Sequence, residues 1–296
     1  MAGGDTRDGA RPAYGYRSDM AGRIGAVAIV PSPKGKPVTF HAVLHLLPAD
    51  QSGGKLALLL ASAFVAGLAR GFSGFGAALI FMPLAGAIVG PAVAAPLLLI
   101  IDAVMAAGLI PDAWRRADRR GVAIMAAGAL IGIPAGTLVL AMADPLAVRW
   151  GIVLTVAVLL ALLASGWRYG GQPSAALTAG VGAVSGLFSG AAQIGGPPVV
   201  LYWLGGAVPG AVVRANIVIY FAISTVLTGA SYFASGLITQ PVASLSLATG
   251  PLYGLGLTLG SRLFGMASEA VFRRACYGLI VVAAIIGLPV FDAILR

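Results

Sequence analysis

Beyond residue 56 the chain reads as one apolar run after another, separated by short gaps that hold glycine, proline and arginine. Each run is long enough, or nearly so, to cross a hydrocarbon core about 30 Å thick. None shows the alternation of apolar and polar residues that marks a membrane β-strand. The pattern predicts helices at about 56–72, 75–89, 91–109, 122–142 and 148–167, and again at 175–189, 194–205, 211–233, 242–263 and 271–286. The stretches 75–89 and 194–205 are marginal for a full crossing. Asp102, in Ile-Ile-Asp-Ala-Val-Met, is the one acid well inside a predicted span.

The order of runs repeats. A glycine-dense break, Arg70-Gly-Phe-Ser-Gly-Phe-Gly76, interrupts the first apolar stretch and is followed by Pro83. A second break, Ser189-Gly-Ala-Ala-Gln-Ile-Gly-Gly-Pro-Pro198, interrupts the first run of the second half. Gly67, Gly71 and Gly76 fall opposite Gly186, Gly190 and Gly195 at one constant offset. Further on, Gly132-Ile-Pro-Ala-Gly136 matches Gly256-Leu-Thr-Leu-Gly260, small-residue pairs that let helices pack closely. The expected fold class is therefore an all-α polytopic membrane protein of two repeats, each of four to five transmembrane helices, with short or broken helices at the glycine-rich motifs. Residues 1–55 form an N-terminal extension, 56–170 the first repeat and 171–296 the second. If the short runs cross, the repeats are inverted; if they dip and return, the repeats are parallel. Charge favours inversion, because the arginine-rich loop 111–121 then lies on the cytoplasmic side and its uncharged counterpart, Ser235–Gln240, outside.

Composition agrees and removes other classes. The chain is 59% hydrophobic and only 10% charged, where a soluble domain carries about 25% charged residues. Its net charge of +9 does not point to nucleic acid, since the arginines sit in the gaps between apolar runs, as cytoplasmic topology signals do. A multi-pass protein of the cell (inner or plasma) membrane is expected, with the lipid bilayer as its surroundings. The extension holds all three lysines, Lys34, Lys36 and Lys55. It lacks the basic, apolar and small-residue order of a signal peptide, and is read as a mostly disordered segment or a start assigned too far upstream. His41 and His45 share a helical spacing without a third ligand, so no metal site is expected. Cys276, the single cysteine, reads as a small buried apolar residue. No catalytic constellation and no Walker-type phosphate loop is present, so neither an enzyme nor a bound cofactor is expected.

The chemistry concentrates at the breaks. Non-helical backbone at membrane depth is tolerated where it is buried in protein or lines an aqueous cavity. A helix starting after such a break presents unpaired N–H groups and the positive end of its dipole, a ready anion site. The candidate binding residues are Arg70, Gly71, Ser73, Gly74, Gly76, Ser189, Gly190, Gln193, Gly195, Gly196, Pro197 and Asn216. The second break, richer in glycine and proline, is the expected place of direct anion contact. Arg70 either neutralises the anion or anchors a helix end. Asn216 either lines the cavity or bonds between helices. Asp102 is the candidate coupling residue, as a proton carrier or a partner for Arg70 or Arg214, because an intramembrane carboxylate is functional by default.

At the duplicated motifs Gly71-Phe-Ser-Gly-Phe-Gly76 with Pro83, Gly186-Leu-Phe-Ser-Gly190 with Gly195-Gly-Pro-Pro198, and Arg214-Ala-Asn216, the chain resembles the sulfite exporter TauE/SafE family of permeases. The resemblance covers about residues 57–290. It implies secondary transport of a small anion, such as sulfite, a sulfonate, thiosulfate or a related organosulfur compound, coupled to an ion such as H+. A passive channel for a small solute and a membrane anchor without transport are the alternative readings.

Overall fold

The computed structural model describes residues 53–73, 76–167, 169–171, 174–204, 210–263 and 269–291. The extension up to residue 52, including His41 and His45, lies outside the described residues, as does Gly74. Among the described residues the chain is helical throughout, without a strand. The helices are α1 (Gly53–Ser73), α2 (Ala77–Val89), α3 (Pro91–Ala106), α4 (Ile110–Arg116), α5 (Arg119–Met142) and α6 (Pro145–Ala164). They continue with α7 (Ala175–Ala192), α8 (Gly196–Trp203), α9 (Gly210–Ala234), α10 (Gln240–Leu263) and α11 (Glu269–Gly287).

Local chemistry sets the boundaries. Asp118, Asp144 and Ser174 accept from the first backbone N–H groups of α5, α6 and α7, at 3.1 Å (Arg120 N), 2.9 Å (Leu146 N) and 3.2 Å (Leu177 N). Pro91 and Pro145 occupy the first helical position of α3 and α6, where a missing N–H costs nothing. The basic stretch 111–121, expected as a loop, contains α4. Pro111 and Asp112 suit its first turn, Arg115 and Arg116 its last, and Arg116 bonds Asp112 at 2.9 Å. α3 and α4 meet at 74°.

Among the described residues six helices are each long and apolar enough to cross a membrane, α1, α5, α6, α7, α9 and α10, and the bent pair α3–α4 is a seventh if it counts as one span. The two runs marginal in the sequence are helices of 13 residues (α2) and 8 residues (α8). At 1.5 Å per residue α8 covers only about 12 Å. It starts beside the end of α7, where Ser185 Oγ donates to Gly195 O at 2.7 Å. It ends near the start of α7, where the hydroxyls of Thr178 and Tyr202 share a hydrogen bond of 2.5 Å. α8 therefore runs back along α7.

Two helix pairs approach until their backbones touch. In α1 against α10, a Cβ on Gly67 or Gly71 would overlap the carbonyl of Tyr253 or Leu257, and one on Gly256 that of Phe64. In α7 against α5, a Cβ on Gly190 would overlap the carbonyl of Ile133, one on Gly186 would stand 2.8 Å from Ala129 Cα, and one on Gly132 would overlap Ala183 O. The glycines are those that match between the two halves, and so are their partners. Residue numbers rise together in both pairs, so α1 is parallel to α10 and α7 to α5. Tyr220 Oη donates to Ser185 Oγ at 2.9 Å and Tyr232 Oη to Gly190 O at 2.8 Å, which sets α9 parallel to α7. A Cβ on Gly250 would touch Ile101 and one on Gly254 would touch Met105, which sets α3 parallel to α10. A Cβ on Gly229 of α9 would touch Leu99 of α3, and Ala113 of α4, the helix that follows α3, shares a core with Val213 and Ala215 near the start of α9, which sets α3 antiparallel to α9. Helices α1, α3 and α10 thus run one way, and α5, α7 and α9 the other.

Candidate functional site

The two breaks meet at one cavity. α1 carries Arg70 in its last turn. Gly76, with φ 98°, turns the chain into α2 in a conformation that other residues rarely adopt. The N–H groups of Ala77 and Ala78 have no partner one turn back within the helix, Leu79 N donates to Gly76 O at 3.1 Å, and Gly76, Ala77, Ala78 and Leu79 line the cavity. At the second break α7 ends in a C-cap turn, with Gln193 N donating to Ser189 O at 2.9 Å and Ile194 N to Phe188 O at 3.1 Å. Ser189, Gln193, Ile194, Gly196 and Pro197 line the opposite wall. Phe221, Ser224 and Thr225 of α9 and Leu98 and Asp102 of α3 close it. The cavity volume is about 60 Å³, room for a few water-sized groups. A larger cavity of about 290 Å³ lies between α5, α6 and α7. Its lining is apolar apart from Thr155 and carries no charge, so of these two cavities the smaller suits an anion.

Arg70 is the one cation lining the cavity among the described residues. It grips Asp102 with two nitrogens, Nε to Oδ1 at 3.0 Å and Nη2 to Oδ2 at 3.1 Å. Tyr253 Oη of α10 donates to Asp102 Oδ1 at 2.5 Å. The pair is only partly covered: the side chains of Arg70 and Asp102 are 15% and 28% exposed.

Of the residues the sequence singled out, Arg70, Gly76, Ser189, Gln193, Gly196, Pro197 and Asp102 come together at this cavity. Gly71 and Gly190 lie instead at the two helix contacts, against Leu257 and Ile133. Gly195 packs on Ser185 and Ser189, so a side chain there would strike the turn itself. Asn216 is 2% exposed, and its Oδ1 accepts from Asp118 N at 2.7 Å, bonding α9 to the start of α5 rather than lining the cavity. Ser73 closes α1. The sequence reading missed Tyr253, Ser224, Thr225 and Phe221. Polar-tipped or hydroxyl residues in mid-span were the signal available for the first three.

Gln193 is the one non-glycine residue with positive φ (58°) among the described residues. Left-handed backbone costs such a residue about 1–2 kcal/mol. Its Nε2 donates to Ser189 O at 3.2 Å and Tyr232 Oη at 3.3 Å, which fixes the amide at the cavity wall. Gln193→Gly relieves the strain and removes hydrogen bonds worth about 1 kcal/mol each. Thermal unfolding in detergent is therefore expected to change little, while anion affinity measured by calorimetry falls.

The family model for the sulfite exporter TauE/SafE matches residues 59–286, which takes in α1 through most of α11. The chain belongs to the TauE/SafE family. Curated proteins and solved structures give no match. TauE/SafE proteins are membrane transporters for sulfur anions, not enzymes. The chain is accordingly a multi-pass transmembrane permease, and the cavity between its two breaks is lined by Arg70, Asp102 and the start of α2.

Proposed function

We propose that this TauE/SafE protein is a secondary permease of the cell membrane for a small sulfur oxyanion such as sulfite, a sulfonate or thiosulfate, bound between the two helix breaks. The observation that carries the reading is the single polar cavity bounded by both breaks, with Arg70 at its edge and the N-terminus of α2 in its wall. Oxyanions suit such a place because the guanidinium offers two parallel donors and the helix end offers N–H groups.

The first break carries more of the anion contact than the second. α8 begins Gly196-Pro197-Pro198, and proline has no N–H to give. α2 begins with Ala77 and Ala78, whose N–H groups are donors, while Leu79 N turns back to Gly76 O at 3.1 Å. The second break contributes the Ser189 hydroxyl and the Gln193 amide instead.

The repeats are inverted, and alternating access is the movement of one against the other about the shared cavity. The support is the opposite direction of α1 and α7, each with its break at the same cavity, and the matched glycine contacts of α1 with α10 and α7 with α5. Transporters of this build bind at the repeat interface near the midplane. Charge agrees: Arg115 and Arg116 end α4, Arg119 and Arg120 open α5, Arg214 is near the start of α9 and Arg262 at the end of α10. With these directions all of them share one side, the cytoplasmic one.

The test is a thermal-unfolding screen of the purified protein against sulfite, thiosulfate, small sulfonates and carboxylates. A bound sulfur oxyanion at about 100 times its Kd stabilises the folded state by about 2.7 kcal/mol. Stabilisation by at least one sulfur oxyanion is expected. Stabilisation by none of them contradicts the proposal.

A further inference from the structure

The anion cavity already contains an anion, the Asp102 carboxylate, and it holds the cation that a substrate needs. We infer that Asp102 is a resident stand-in for the substrate: a singly charged oxyanion displaces it from Arg70 as Asp102 takes up one proton, so that the pair couples anion transport to H+. The inference rests on the permease reading and deepens it.

Geometry supports the exchange. Arg70 spends two donors on Asp102 in a planar, two-point grip, at 3.0 Å and 3.1 Å, and a sulfonate presents the same pair of oxygens. Both side chains line the cavity. Asp102 keeps 28% of its side chain exposed, so a proton from cavity water can reach it once the guanidinium turns away. Tyr253 Oη holds Asp102 from the far helix, α10, and remains a partner for the carboxyl in either protonation state.

Among the described residues no other charge near Asp102 takes up the exchange. Of the helices packed on α3, α2 and α7 carry no titratable side chain. α5 and α9 carry Arg119, Arg120 and Arg214 near their starts, and the Tyr220 and Tyr232 hydroxyls of α9 bond to α7. α6 carries Arg149, whose Nη2 donates to Gly287 O at 3.2 Å. α10 carries Tyr253 itself and Arg262 in its last turn; α1 carries Arg70 and, at its far end, Lys55.

Charge then selects the substrate. Before binding, Arg70 and Asp102 sum to zero. After a monoanion binds and Asp102 is protonated, the sum is again zero. A dianion leaves one uncompensated charge in a small cavity enclosed by apolar helices, which is costly. The structure thus points to a sulfonate or hydrogensulfite, one proton per anion, rather than sulfate, thiosulfate or fully ionised sulfite.

The experiment adds methanesulfonate or 2-hydroxyethanesulfonate to the full-length protein in weakly buffered detergent solution, with heat and pH recorded together. Wild type is expected to take up about one proton per anion, with affinity rising as the pH is lowered, by at most about tenfold per unit. Asp102→Asn is expected to bind with pH-independent affinity and no proton uptake. Sulfate is expected to compete weakly at every pH. Binding by wild type without proton uptake, retention of the pH dependence by Asp102→Asn, or equally tight sulfate binding overturns the inference and leaves the permease reading intact. If the variant fails to fold, the wild-type proton count decides alone. If neither sulfonate binds at any pH while thiosulfate or another dianion does, the inference falls alone; if no sulfur anion binds, the proposed function falls with it.

Discussion

Arg70→Ala is expected to abolish anion binding and transport, with no residual saturable uptake. The guanidinium is the one cation of the cavity among the described residues, and nothing nearby replaces it. The loss has a second cost, because Asp102 remains without its ion-pair partner. Removing one member of a buried pair costs about 3–5 kcal/mol, and the partial exposure of this pair puts the expected loss near the lower end, about 3 kcal/mol. The two effects separate in the double variant Arg70→Ala with Asp102→Asn. It is expected to recover most of the stability in detergent and none of the binding. Arg70→Lys keeps the charge and loses the two-point grip, so binding is expected to weaken without vanishing. Saturable uptake retained by Arg70→Ala would remove Arg70 from the site.

The second large effect lies away from the cavity. Gly132→Ala in α5 places a methyl against Ala183 O and Leu187 N of α7, and Gly256→Ala in α10 places one against Phe64 O and Leu68 N of α1. The obstructing atoms are backbone, so no rotamer change makes room and the helices must part. Overpacking costs 1–3 kcal/mol and sometimes more; here about 3 kcal/mol or above is expected for each variant. Gly180→Ala is the control. Gly180 lies on α7 with nothing within 4 Å of an added Cβ, and the helix gains about 0.5–1 kcal/mol from the exchange. Unfolding midpoints in detergent check all three. Equal midpoints for Gly132→Ala and Gly180→Ala would show that the close crossing does not hold the bundle.

The apolar runs were legible because membrane crossing demands long stretches without charge, and the paired breaks because three glycines recur at one offset. Arg70 and Asp102 stood out for the same reason, as charges in apolar surroundings, and their ion pair was one of the options the sequence left open. What the sequence could not supply was the exchange of partners between halves. Tyr253 is in mid-span of α10, where an aromatic normally packs in a core. Only the contact of α10 with α1 and α3 brings its hydroxyl to Asp102. Asn216 shows the converse: a polar residue in a predicted span drew attention as a cavity group, and its bond is to Asp118 N across a helix crossing. α4 escaped notice because seven residues are too few for a 3.6-residue period to emerge from a run of arginines. The glycines of the breaks divide in the same way. Gly76 turns the chain at the cavity, whereas Gly71 and Gly190 admit a neighbouring backbone, and spacing alone does not tell these uses apart.

The central claim is that one cavity, built from both breaks and charged by Arg70, carries a small sulfur oxyanion across the membrane. Uptake of radiolabelled sulfite and of a radiolabelled sulfonate into proteoliposomes, with wild type and Arg70→Ala in parallel and with the proton gradient imposed or collapsed, tests it most directly. Accumulation above the external concentration by wild type, lost with the gradient and absent in Arg70→Ala, is the predicted result. Equal uptake by the two proteins, or no uptake of either anion by wild type, would contradict it.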